Sequence, residues 1–170
     1  TSIQEERYGV RKKKGRETEN NVSESENDYR GLAPGRRTDP NDNRKQGAFD
    51  TRGMVTARAE RGKSSQSLGD TLSDPTEKVS YDLFNWQDNG LPNYTHRQMR
   101  EEHGSSNSRW LEQYTYTGGL GEVVMRKRKV APGDAVERDT AGDLVYETGN
   151  QLAMEHADPR WVGTGRTVYN

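Results

Sequence analysis

The scarcity of core-forming side chains is the strongest constraint on what this chain can fold into. It has 9 Leu, 11 Val, 1 Ile and 2 Phe, so 23 of 170 residues, about 14%, are strong core formers, well under the roughly 20% below which chains tend toward disorder. Charged residues make up 31%. Each ordered residue loses backbone and rotamer entropy, and a chain this poor in apolar surface has little burial to set against that loss. The expected state is a mostly irregular, extended chain with a few short helices and one β-hairpin. It would have little core of its own and be ordered by the partners it lies on.

The formal net charge of −1 hides a polarity. Residues 1–67 hold 15 Lys and Arg against 11 Asp and Glu, and residues 68–170 hold 11 against 16. Of the 13 aromatic residues, 10 fall in the second part. The chain therefore reads as a basic, Gly- and Asn-rich arm over 1–67 and an aromatic-bearing, partly structured docking region over 68–170. A general nucleic-acid or anionic-membrane binder normally carries a marked basic excess, which is absent here.

Cysteine is absent, which excludes disulfide staples and thiolate chemistry. No apolar run approaches the roughly 18 residues of a membrane-spanning helix. The basic run Arg11, Lys12, Lys13, Lys14 and Arg16 has the composition of the tail of a targeting segment, with an organelle as the destination it would imply.

Turn formers dominate residues 1–47. From Asp50 to Arg61, Met54, Val55, Ala57 and Ala59 suggest a short helix weakened by Gly53. Ser73-Asp74-Pro75 reads as a linker beside a small Leu68 and Leu72 patch. A second helix is expected from Thr95, an N-cap with Gln98 as capping-box partner, to Gly104, which suits a left-handed C-cap. Gly118-Gly119 separates Tyr114–Thr117 from Glu122–Val130, two runs with strand character that would pair as a hairpin. A last short helix is expected from Asn150 through His156. No internal repeat is evident.

Chemical motifs are weak. Gly118-Gly119-Leu120-Gly121-Glu122-Val123 has the spacing found at the end of a phosphate-covering glycine loop, but Tyr116 stands where the first glycine belongs, so a plain hairpin turn is the better reading. His96 and His103 lie about two turns apart on a helix, too far to share a metal without a further ligand. No metal, cofactor or catalytic residue is assigned, and the chain is read as non-enzymatic. The run Arg126 to Lys129 falls on an expected strand, where successive side chains alternate between faces and make no single stripe.

The aromatic residues carry the functional expectation. Tyr81, Phe84, Trp86, Tyr94, Trp110, Tyr114, Tyr116, Trp161 and Tyr169 are spread through hydrophilic sequence, and aromatic side chains anchor interfaces with large contact area at modest entropy cost. The chain is expected to be a structural linker or scaffold that crosses and joins several protein subunits of a large assembly, for example a light-harvesting antenna or a respiratory or other organellar complex. The alternative is an RNA-contacting protein of ribosomal type, with Arg11, Lys12, Lys13, Lys14 and Arg16 meeting phosphates or acidic partners.

Overall fold

In the computed structural model, residues 22–28 and 32–167 are described, and the chain is built almost entirely of β-strands. In chain order they are β1 (Glu24–Asp28), β2 (Ala33–Thr38), β3 (Asn43–Phe49), β4 (Val55–Lys63), β5 (Glu77–Asp82), β6 (Asn93–Arg100), β7 (Trp110–Thr117), β8 (Val123–Val130), β9 (Gly133–Val136), β10 (Met154–Ala157) and β11 (Arg160–Arg166). A five-residue helix α1, Asn85–Asn89, precedes β6. Strands β1 to β8 follow one another in a single sheet, with β11 next to β8, and β9 pairs with β10.

This overturns the expectation of an irregular, extended chain. The aliphatic count underestimates a meander. Each short hairpin satisfies its own backbone donors and acceptors locally, and the sheet faces are covered by Thr, Tyr and the stems of Lys and Arg rather than by Leu and Ile. Among the described residues only Ala59 and Ala153 are buried hydrophobic side chains.

Two expected helices are strands for legible reasons. Val55, Ala57 and Ala59 are spaced by two, which is strand periodicity; Ala57 lies opposite Ala48 and Ala59 opposite Gln46 in β4 and β3. Thr95 lies inside β6, not at a helix start, although Gly104 does adopt a left-handed φ of 70° in the loop that follows. The expected helix after Asn150 fails because Asn150 itself sits at φ 63°, in a turn, while an N-cap needs an extended backbone. The expected hairpin is present: Tyr114 faces Lys127 and Tyr116 faces Met125, with Gly118 N donating to the Glu122 carbonyl at 2.9 Å across the turn.

The chain divides into two compact units, one holding the described residues up to Ser80 together with Arg97–Trp110, the other Tyr81–His96 with those from Leu111 onward. In the first unit, hairpins turn on aspartates. Asp39 Oδ1 accepts the backbone N–H of Asn41 and Asn43, and Asp50 Oδ1 accepts those of Arg52 and Met54, all at 2.8–2.9 Å. The Asn43 side-chain amide on Asp39 Oδ2 (3.0 Å), with these backbone bonds, holds the Asp39 carboxyl below the usual value of 3.8, and the Met54 N–H foremost does so for Asp50.

In the second unit, residues 136–154 close a ring. Glu137 N donates to the Ala153 carbonyl (2.9 Å), Ala153 N to Val145 (2.9 Å) and Val145 N to Glu137 (3.2 Å). The three positions are eight residues apart, and Val136, Leu144 and Leu152 repeat at the same spacing: Val136 pairs with Met154, Leu144 with Arg138 and Leu152 with Tyr146. A structural repeat is therefore present where no internal repeat was evident from the sequence. The same aspartate turn recurs here, with Asp139 Oδ1 accepting Ala141 N and Asp143 N at 2.9 Å.

Candidate functional site

The first unit contains a buried ionic cluster. Asp70 has a fully buried side chain whose two oxygens take four donors: Arg100 Nη1 (3.0 Å) and Gly104 N (2.7 Å) on Oδ1, Thr76 Oγ1 (2.7 Å) and His103 Nδ1 (2.9 Å) on Oδ2. Burial alone would raise the Asp70 carboxyl, but these bonds and the Arg100 charge outweigh it and hold it below 3.8. Arg100 also pairs with Asp74 and lies 5.2 Å from the Trp110 ring centre, with Lys78 Nζ at 4.5 Å from the same ring. Every carboxylate lone-pair direction on Asp70 is used, and Trp110 is held by two cations. This arrangement fixes a loop, and the His103 imidazole stays half-exposed at its edge.

Gly69 makes the cluster sterically feasible. Its φ is 89°, and a Cβ there would fall 2.6 Å from the Glu60 carbonyl oxygen, so no other residue fits without moving backbone. The Ser73-Asp74-Pro75 stretch expected to be a linker thus borders the most constrained part of the unit.

The second unit gathers aromatic rings on one sheet face. Tyr114 meets Tyr94 edge-on at 5.4 Å and Trp161 edge-on at 5.2 Å, stacks on His96 at 4.2 Å, and lies 6.1 Å from Tyr116. Strand alternation aligns them: Glu112, Tyr114 and Tyr116 point one way from β7, and Lys127 and Lys129 join them from β8. Glu112 accepts Lys129 Nζ at 2.7 Å and contacts His96 Nε2 at 3.1 Å, which keeps its carboxyl below the usual 4.5. Burial pushes the Tyr114 and Tyr116 hydroxyls above 10.

Beside this cluster opens a groove of about 970 Å³, lined in part by Phe84, Trp86, Pro92, Tyr116, Gly118 and Glu122. Phe84 is 58% and Trp86 67% exposed. Nine aromatic anchors were expected as one class, and the structure separates them. Tyr94, Tyr114, Tyr116 and Trp161 form a ring cluster, Phe84 and Trp86 stand in the groove wall, and Trp110 belongs to the ionic cluster of the other unit. Tyr81 is half-buried. Tyr169 and the basic run Arg11, Lys12, Lys13, Lys14 and Arg16 lie outside the described residues. Among the described residues no group of three or more His, Asp or Glu is arranged to hold a metal ion, and no helix is long and apolar enough to cross a membrane.

This fold recurs in TcdB2-TccC3. The solved structures that resemble it include TcdB2-TccC3 without its hypervariable C-terminal region (TM-score 0.67, 17% identity) and TcdB2-TccC3-Cdc42 (TM-score 0.68, 16% identity). Each similarity covers 88% of this chain, which spans only 10% of the length of the chain it matches. No protein-family model and no curated protein sequence matches. At such identity the likeness is one of fold.

The sequence reading missed the ionic cluster altogether. Asp70, Thr76, Arg100 and His103 are dispersed over 34 positions and share no local spacing; the one available signal was Gly69 beside Asp70, in a stretch where a linker would not require both.

Proposed function

We propose that this chain is a non-enzymatic structural module of a large multi-protein assembly, working as a piece of β-sheet wall against which other subunits pack. The observation that carries the reading is the burial pattern. Fifteen large hydrophobic side chains are exposed while two alanines are the buried hydrophobic residues among those described; a wall shared with neighbours would cover such side chains in the assembly. The fold likeness to a tenth of a much longer chain supports the same reading.

The test is the state of the chain in its native source. Gentle purification of a tagged copy, followed by mass measurement on the eluted particle, is expected to give the chain in fixed stoichiometry with several other proteins. A free, cooperatively unfolding 19.3 kDa monomer would overturn it. The RNA-contacting alternative predicts instead that association is lost steeply with rising salt, because phosphate contacts release counterions.

A further inference from the structure

The groove of the second unit displays its rings by construction. Phe84 and Trp86 flank Asn85, whose side chain is buried although few groups of any kind are buried among the described residues. Asn85 Nδ2 donates to the Pro92 carbonyl at 2.9 Å, and its Oδ1 accepts Asn89 Nδ2 at 2.9 Å. Asn93 Oδ1 accepts Trp86 N at 3.0 Å, and Gly90, left-handed at φ 67°, closes the turn through its N–H to the Trp86 carbonyl at 3.0 Å. The backbone under both rings is thus pinned from four sides while the rings face solvent. Packing alone would call for the reverse arrangement, with rings buried and amides outside.

The chemistry of the walls narrows what can lie there. The floor comes from β7 and β8, each of which already has a neighbour on both sides, so an added strand would find no free backbone edge. Among the lining residues Glu122 is the sole charged one, and there is no Lys or Arg. Glu122 folds back over the hairpin turn, accepting Leu120 N at 3.0 Å with one oxygen, and Gly118 leaves the space its carboxylate occupies. Aromatic faces with a proline among them suit pyrrolidine rings. A polyproline II segment also arrives with its backbone already extended and its carbonyls unbonded, open to donors such as the Trp86 indole and the Gln87 amide. The lone carboxylate calls for a cation on that segment.

We propose that this groove binds a proline-rich segment of a partner protein, in polyproline II conformation and carrying Arg or Lys beside its prolines. The proposal does not depend on the scaffold reading, since a free monomer would bind such a segment equally well.

Calorimetry on the full chain with a decaproline peptide flanked by arginines, the same peptide flanked by glutamates, and cellohexaose tests it. The arginine-flanked peptide is expected to bind on the order of tenfold more tightly than the glutamate-flanked one. Trp86→Ala is expected to weaken binding by a similar factor, about tenfold, without moving the thermal midpoint. Glu122→Gln should bring the two peptides together. Backbone amide shifts in the unmutated chain, on addition of the arginine-flanked peptide, should concentrate on 83–93 and 116–125, which keeps the test independent of any variant's folding. The proposal is overturned if neither proline peptide binds, if the shifts lie elsewhere, if Trp86→Ala folds and binds as before, or if cellohexaose binds in their place.

Discussion

Arg100 and Asp70 form a salt bridge of 3.0 Å in which neither side chain reaches solvent, at 3% and 0% exposure. In a chain with two buried hydrophobic side chains among its described residues, a buried ion pair occupies the position an aliphatic cluster would hold elsewhere. Such a pair adds little net stability compared with apolar side chains of the same volume, yet removing one partner leaves an uncompensated buried charge.

Asp70→Asn is therefore expected to destabilise the first unit by about 3 kcal/mol, the low end of the range for a broken buried pair. All four donors would lose a charged acceptor, and the two on the oxygen that becomes an amide nitrogen would face a donor, while Arg100 stays in place with its charge unbalanced. Urea unfolding followed through Trp110 fluorescence measures it. An effect within experimental error would mean that the cluster is solvated in solution.

Acid should act through the same groups. The carboxyls of Asp39, Asp42, Asp50 and Asp70 all lie below 3.8, and that of Glu112 below 4.5, in the folded chain. A carboxyl depressed on folding contributes stability above its unfolded value, and that contribution disappears as pH falls through the folded value. The thermal midpoint is expected to change little as pH falls from neutral to about 5 and then to drop once pH passes below the ordinary carboxylate range. The drop should be shallower in Asp70→Asn. A midpoint that rises below that range would contradict the assignment of these bonds.

The ring cluster gives a third expectation. Tyr114 touches four other rings, whereas Trp86 is two-thirds exposed. Tyr114→Ala should cost about 2 to 4 kcal/mol of folding stability, less than a fully buried aromatic because the site is half-open. Trp86→Ala should leave stability unchanged within about 0.5 kcal/mol, as for surface positions. Equal losses at the two sites would mean that the groove is closed in solution.

What the sequence revealed follows physical range. The hairpin across Gly118-Gly119 was legible because its two strands and its turn are contiguous. The helix read over Asp50–Arg61 was an error of period: Val55, Ala57 and Ala59 carry the spacing of two, and small alanines hid it by favouring helices intrinsically. The eight-residue spacing of Val136, Leu144 and Leu152 was present, and Asp139, Glu147 and Glu155 with Thr140 and Thr148 follow it, but three units of eight with so few identities are faint in a chain this polar. The Asp70 cluster was not legible, since it joins positions 70, 76, 100 and 103 through pairing of strands that no local pattern specifies. Grouping the aromatics by residue type could not separate Tyr114, held among rings, from Trp86, held out from them.

The aspartate turns supply the last expectation, and they were readable in retrospect. Asp39, Asp50 and Asp139 each open a five-residue turn in which the carboxylate accepts the N–H groups two and four residues on, and the fourth position has positive φ: Asp42 at 68°, Gly53 at 81° and Gly142 at 88°. The side chain replaces backbone acceptors that a tight reversal cannot supply. The acceptor oxygen matters more than the charge, so Asp50→Asn, which keeps an oxygen in that place, should lower the thermal midpoint only slightly. Asp50→Ala leaves the Arg52 and Met54 N–H groups without that acceptor and should lower it clearly more. The amide of Met54, part-buried beside Asp50, should then exchange with solvent faster in Asp50→Ala than in Asp50→Asn. If the two variants melt together and exchange alike, the turn is held by its backbone bonds, Asp50 N to the Met54 carbonyl and Gly53 N to the Asp50 carbonyl, and the recurrence of aspartate at these three turns has another cause.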